Sequence, residues 1–171
     1  MKWAKAGIVV VLLVAAVALQ TTLFASLRPF DAAPALVALV VFAVARHLSA
    51  EAALLAGFSA GVMADLMSET PLGLWALTMV TVAFAVVRSR PRFEDDVTLL
   101  GPAVFVVSFG ALAFYALLGT IFGEKTLADR SWLQNLLLPS VYNVVIAPIV
   151  LPLVTTMLGA RRRTGLGSFD L

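Results

Sequence analysis

The sequence contains no cysteine and a single histidine among its 171 residues, and only 13% of its residues are charged. The missing cysteines exclude disulfides, thiolate metal sites and cysteine nucleophiles, and one histidine cannot form a histidine-based metal site. A glycine-rich phosphate loop, an H-E-x-x-H pair and a nucleophile elbow are missing as well. The sequence therefore predicts a protein that is not an enzyme and holds neither a metal nor a cofactor.

Apolar residues dominate what is present. They make up 61% of the chain, against roughly 45–50% in soluble domains, and the mean hydropathy is +1.02. The net charge is +2, but the basic residues are spread over short connections, which argues against nucleic-acid binding. We expect an integral membrane protein with a single membrane domain, residues 1–171, and with membrane lipids around it.

Six apolar segments predict an all-α fold, a compact bundle of six transmembrane helices. The first is too long for a signal peptide and has no cleavage site, so we expect it to be retained. The second to fourth fall short of the roughly 20 residues that cross a bilayer, so they must tilt little, borrow flanking residues or lie shielded inside the bundle. The predicted helices span residues 6–27, 34–46, 52–67, 72–88, 99–122 and 133–158.

The distribution of basic residues predicts the orientation of this bundle. Cytoplasmic connections of membrane proteins are enriched in lysine and arginine. With the N-terminus inside, nine basic residues lie on cytoplasmic ends and three outside: Lys2, Lys5, Arg46, Arg88, Arg90, Arg92, Arg161, Arg162 and Arg163, against Arg28, Lys125 and Arg130. We therefore expect both termini in the cytoplasm.

The third segment combines small residues with a lone acid. Gly57 and Gly61 form a small-xxx-small pattern that lets membrane helices approach closely, so we expect this helix to be the hub of the bundle. Asp65 continues the same helical row and should point into helix packing rather than at lipid, because a carboxylate in hydrocarbon is costly. Two alternatives stay open: Asp65 reaches water near Ser68 and Glu69, or it belongs to a ligand or ion site.

Few other polar residues interrupt the spans. Gln20 in the first helix and Asn143 in the last are expected to hydrogen-bond across helices. His47 should lie at the membrane interface beside Arg46. The mixed-charge connection RSRPRFEDD, residues 88–96, is expected to be a solvated loop or a docking segment, and the tail RRRTGLG suits anionic lipid headgroups.

Four stretches of the sequence resemble the MreD family of rod-shape-determining bacterial inner-membrane proteins. They are LQTTLF (19–24), PALVALVVFAVAR (34–46), GFSAGVMADLMSETPLG (57–73) and LPSVYNVVIAPIVLPL (138–153). The third is the most specific, through the spacing of Gly57, Gly61, Asp65, Pro71 and Gly73. The resemblance includes no pattern for residues 88–96, so nothing is implied about that connection.

The resemblance implies a function, a set of partners and a fold. The function is a non-enzymatic scaffold subunit of the cell-elongation complex that makes peptidoglycan. The implied partners are MreC and, beyond it, MreB, RodA and a class B penicillin-binding protein, and the implied fold is similar to the six-helix substrate-binding (S) subunits of ECF-type vitamin transporters. The candidate structural or partner-interface residues are Gln20, Gly57, Gly61, Asp65, Pro71, Gly73 and Asn143; the two helical glycines also leave room for a homo-oligomer.

A transport subunit is the alternative function. In that role Asp65, Gln20 and Asn143 would surround a small polar ligand. The A-x-x-x-A motif by which such subunits dock their coupling partner has no match in the first helix, which favours the scaffold.

Overall fold

The computed structural model describes residues 2–23, 32–68, 71–94, 97–124 and 131–159. This part of the chain is all-helical and contains six α-helices, with a short 3-10 turn, Val97–Leu99, before the fifth. The helices are α1 Lys2–Thr21, α2 Leu36–Ala45, α3 Ala50–Leu66, α4 Leu74–Glu94, α5 Leu100–Ile121 and α6 Trp132–Met157. Residues 24–31 and 160–171, which include the predicted end of the first helix and the basic tail, lie outside the described residues.

Three of these helices have the length and apolar composition to cross a membrane. The qualifying segments are Ala4–Thr21 in α1, Leu100–Ile121 in α5 and Trp132–Met157 in α6. Their outward faces carry large exposed apolar side chains, such as Val11, Val106 and Val145, which are each more than 60% exposed. In a membrane protein such faces contact lipid. The acyl chains take the place of water around these apolar side chains, so their exposure is not unfavourable.

The hub of the bundle is α2, so the prediction that the third helix is the hub is wrong. All ten residues of α2 are buried, and the helix packs against every other described α-helix. A helix that is apolar on all sides has no face suited to water and is stable in the interior. Its ten residues extend only about 15 Å. Because the helix is so short, the longer helices around it can cover it along its whole length.

The most extensive helix–helix contact joins α3 to α4, and the two glycines of α3 lie inside it. A Cβ atom added to Gly57 would sit 2.6 Å from the carbonyl oxygen of Met79, and one added to Gly61 would sit 2.5 Å from the carbonyl oxygen of Trp75. The small-residue pattern therefore brings two helices of the same chain together. This contact occupies the surface that the sequence left available for a second copy.

The fourth helix is longer than predicted. It continues to Glu94, past the expected end at residue 88, so the first part of the predicted loop at residues 88–96 is helical. Pro91 lies within its last turn. The extension carries Arg90 to the end of α2, where its guanidinium donates a hydrogen bond to the carbonyl oxygen of Ala45.

Candidate functional site

Asp65 lies at the end of α3 and accepts three backbone hydrogen bonds from the start of α4. Its Oδ2 accepts from the N–H groups of Gly73 and Ala76, and its Oδ1 accepts from the N–H of Trp75, each at 3.0 Å. The first N–H groups of a helix have no partner within the helix. Asp65 satisfies three such donors at once and therefore caps α4 from a neighbouring helix.

The turn before α4 directs these donors at the carboxylate. Residues 71–74 form a turn in which the N–H of Leu74 approaches the carbonyl oxygen of Pro71 at 3.5 Å. Gly73, the third residue of the turn, has a φ of 102°, which matches a type II turn and strongly favours glycine. This turn directs the Gly73 N–H at Asp65, which explains the Pro71–Leu72–Gly73 stretch that follows Asp65 in the sequence.

The environment of Asp65 accounts for its burial. The side chain is only 2% exposed, and an unpaired buried charge would be strongly unfavourable. Here both carboxylate oxygens accept hydrogen bonds at the positive end of the α4 dipole, which favours a negative charge. The glycines of the same helical row let α4 come close enough to provide this environment.

A second set of polar contacts surrounds the start of α2. Gln20 of α1 accepts a hydrogen bond from the N–H of Val37 through its Oε1 at 2.9 Å. Asn143 of α6 donates through its Nδ2 to the carbonyl oxygen of Ala35 at 2.9 Å and to the Ser108 hydroxyl of α5 at 2.8 Å. Gln20 and Asn143 therefore meet at the same helix end, and together they tie α1, α5 and α6 to it.

Asn143 is fully buried, and one of its polar atoms has no partner. The residue is 0% exposed, and its Oδ1 accepts no hydrogen bond. The amide is held in place by its two donated bonds, so its orientation is set by α2 and α5. This oxygen is a buried side-chain acceptor near the start of α2 for which the described residues provide no donor.

The opposite end of α2 is held by residues of α4 and α6. Arg90 donates to the Ala45 carbonyl, and the Nε2 of His47 lies 3.1 Å from the Thr155 hydroxyl oxygen. Since Thr155 gives its only proton to the carbonyl of Leu151, His47 is the donor in this pair. The pKa of His47 is lowered from its usual 6.5, chiefly by burial and further by the positive charges of Arg46 and Arg90.

Sequence reasoning missed several residues of this framework. The sequence predicts that Arg90 lies in a loop. Its partner is the backbone carbonyl of Ala45, and no pattern of side chains indicates such a contact. Ser108 is one of many small polar residues in apolar helices, so only the three-dimensional arrangement identifies it as the partner of Asn143. The stacking of Trp75 on Tyr115, with ring centroids 4.2 Å apart, joins α4 to α5 beside the Asp65 site and was also unforeseen.

The polar side chains of this site bind backbone groups at helix ends. No group of three or more histidine, cysteine or acidic side chains that could hold a metal exists within the described residues. Both oxygens of Asp65 and the Oε1 of Gln20 accept backbone hydrogen bonds. Five of the predicted site residues contact helix ends: Asp65, Pro71 and Gly73 at the start of α4, and Gln20 and Asn143 at the start of α2. The other two, Gly57 and Gly61, lie within α3 where it packs on α4.

Comparison with known proteins gives a match to a protein family. Neither a curated protein nor a solved structure matches the chain. The sequence model of the family described as rod shape-determining protein MreD matches residues 4–157. The match covers nearly the whole of the 171-residue chain, including all the helix-end contacts described above. The chain therefore belongs to the MreD family of rod shape-determining proteins.

Proposed function

We propose that this protein is a non-enzymatic scaffold subunit of the bacterial cell-elongation complex, which binds an MreC-type partner. The observation that carries the proposal is the family match over residues 4–157. MreB, RodA and a class B penicillin-binding protein are the further partners in this proposal. The helix-end contacts support a structural role, because the conspicuous polar residues hold the bundle together and leave few groups for catalysis.

We further propose that all six helical segments cross the bacterial inner membrane, with both termini in the cytoplasm. The residues on either side of α2 complete its crossing, because the helix itself extends only about 15 Å. Three contacts support alternating helix directions. Gln20 near the end of α1 meets Val37 at the start of α2. Arg90 near the end of α4 and Thr155 near the end of α6 both meet the end of α2. The similarity in fold to S subunits of vitamin transporters stays a prediction.

The proposal is tested by co-purification from the membrane. The tagged full chain is extracted in mild detergent and probed for MreC-type and penicillin-binding partners, with an unrelated six-helix membrane protein as the control. We expect the MreC-type partner to co-purify with the tagged chain and not with the control. Failure to retain any of these partners, at normal levels of the folded chain, would contradict the proposal.

The Asp65 variants separate loss of folding from loss of assembly. Asp65→Leu should lower the amount of protein and the amount of complex together, because it removes the cap of α4. A variant that keeps normal abundance but loses the partner would instead assign Asp65 a direct place in the interface. Retention of a vitamin-like ligand by the purified protein, without any of the partners, would favour the transport alternative.

A further inference from the structure

Two prolines lie on the outward face of α6, one helical turn apart. Pro148 and Pro152 are both within the helix and both exposed. Proline has no N–H group, so it cannot donate the hydrogen bond that the carbonyl four residues earlier receives in a regular α-helix. The carbonyls of Val144 and Pro148 therefore lack their usual helical donors.

These two carbonyls lie at the depth of the membrane where water is scarce. Val144 is the thirteenth of the 26 residues of α6, and Pro148 is about 6 Å further along the helix. Each carbonyl lies beside an exposed proline ring, because the ring occupies the place of the missing N–H. A backbone group without a hydrogen bond is strongly unfavourable in hydrocarbon, so it needs a donor from a side chain or a neighbouring helix.

The hydroxyl groups of α6 serve other carbonyls than these two. Thr155 donates to the carbonyl oxygen of Leu151, and Thr156 donates to that of Pro152, each at 2.8 Å. Among the described residues, no side chain donates to the carbonyl oxygen of Val144 or of Pro148. The bundle thus leaves two acceptors on its outward face.

The side chains around these acceptors argue against a second copy of the chain as the donor. The neighbouring residues on this face of α6 are apolar and exposed: Val141, Val145, Ile149 and Leu153. A symmetric contact of α6 with α6 would bring two such faces together, and neither would supply a donor. The donors must therefore come from a different helix.

We propose that the outward face of α6 between Val141 and Leu153 binds a transmembrane helix of another protein. Polar side chains near the middle of that helix, hydroxyls or amides, donate hydrogen bonds to the carbonyl oxygens of Val144 and Pro148. The rest of the partner helix is apolar, because it packs on apolar side chains and is surrounded by lipid. The inference concerns the chemistry of this face and does not depend on which proteins the proposed complex contains.

The test uses two designed peptides and the full-length protein in phosphatidylcholine vesicles. One peptide is a leucine-rich transmembrane helix with two asparagines near its middle, four residues apart, which matches the spacing of the two carbonyls. The other has leucine at both positions. Energy transfer to a fluorophore at Ala50→Cys, at the exposed start of α3, reports binding. We expect the asparagine peptide to bind about tenfold tighter, as two interhelical hydrogen bonds of average strength would give.

Replacing the prolines by alanine should remove this preference. Pro148→Ala and Pro152→Ala each restore a backbone N–H that completes a hydrogen bond within α6. Each single variant should lower the preference for the asparagine peptide to about threefold, and the double variant should abolish it. Thermal unfolding shows whether the double variant is folded; if it is not, the two single variants decide.

Val145→Ala is the matched control for these variants. Val145 lies on the same face and is 67% exposed, and its replacement removes apolar surface without adding a backbone N–H. This variant should keep the preference of the natural protein. The proposal is overturned if the natural protein binds both peptides equally, or if the proline variants keep the full preference.

Disulfide formation shows where the peptide binds, since the natural chain contains no cysteine. A peptide cysteine next to the asparagines should crosslink to Ile149→Cys on α6 and not to Val106→Cys on α5, two positions that are 70% and 66% exposed. Equal crosslinking at both positions would contradict a site on α6. Crosslinks between two Ile149→Cys chains without peptide would assign the face to a second copy and would also contradict the proposal.

Discussion

At the scale of single residues, the protein places polar side chains where helix ends lack partners. Asp65 caps α4, and Gln20 and Asn143 meet the start of α2, while Arg90 meets its end. Inside a membrane, water is not available to satisfy a free backbone group, so each end must find its partner within the protein. These polar residues are therefore explained by the backbone N–H and carbonyl groups to which they hydrogen-bond.

Replacement of Asp65 should destabilise the bundle in a graded way. Asp65→Asn keeps one acceptor oxygen but replaces the other with an NH2 group, which cannot accept from the backbone N–H groups. Asp65→Leu leaves all three backbone donors without partners. An unsatisfied buried donor costs about 1–3 kcal/mol, so we expect the leucine variant to lose more thermal stability and more abundance than the asparagine variant. Glu51→Gln, at an exposed position of α3, should leave both quantities unchanged. Equal stability of the two Asp65 variants would contradict the capping role.

The lowered pKa of His47 predicts how stability depends on pH. The folded protein favours the neutral imidazole, whereas the unfolded chain takes up a proton near pH 6.5. The unfolded state therefore binds more protons below this pH, and stability should fall as the pH drops from above 6.5 toward the lower pKa of the folded state. The unfolding temperature, measured in an uncharged detergent, should decrease as the pH is lowered through this range. His47→Gln should remove the decrease, and an unchanged pH profile in that variant would assign the effect to other groups.

At the scale of helices, the packing of α3 on α4 depends on the two glycines between them. A methyl group at Gly61 would overlap the backbone of Ala76 and lie 2.5 Å from the Trp75 carbonyl oxygen. Since backbone atoms cannot move aside as side chains do, the two helices would have to separate, which would also lengthen the hydrogen bonds to Asp65. The capping contact and the close approach thus depend on each other.

Gly61→Ala should therefore destabilise the protein, whereas Gly110→Ala should not. Overpacking a well-packed contact costs about 1–3 kcal/mol, and here the overlap is with backbone. Gly110 lies exposed on α5, and an added Cβ would meet nothing within 4 Å. The comparison is made by thermal unfolding of the two purified variants. A Gly61→Ala protein as stable as Gly110→Ala would show that α3 and α4 are not in close contact.

The sequence predicted part of this arrangement, and the reason is the regularity of a helix. Gly57, Gly61 and Asp65 recur every four residues, so they had to share one face, and a carboxylate on that face was expected to meet protein. The backbone N–H groups that donate hydrogen bonds to it could not be foreseen, because every residue except proline has such a group and it leaves no mark in the sequence. The central position of α2 could not be predicted for a related reason. A short run of apolar residues looks the same in the sequence whether it is surrounded by other helices or by lipid.

At the scale of the whole molecule, the helix-end contacts fall into two groups at opposite ends of α2. The start of α2 is held by α1 and α6, and its end by α4 and α6. The short helix is thus fixed at both ends by longer ones.

The proposed topology predicts which positions a reagent can reach from outside the cell. Because the chain contains no cysteine, each introduced cysteine is the sole target of a maleimide. Leu72→Cys, at a residue 76% exposed before α4, should be labelled in intact spheroplasts by a membrane-impermeant maleimide. Ala50→Cys, at the exposed start of α3, should be labelled only after the membrane is opened. The reverse pattern would invert the orientation, and labelling of both in intact spheroplasts would contradict the crossing of α3.

The most direct test of the account is amide hydrogen exchange at the start of α4 in the full-length protein, measured by NMR in bicelles. The N–H groups of Gly73, Trp75 and Ala76 donate to Asp65, and we predict that they exchange slowly in the natural protein and much faster in Asp65→Leu, while amides in the middle of α4 remain protected in both. Exchange of these three amides in the natural protein at the rate of an exposed loop would contradict the central claim that Asp65 caps this helix.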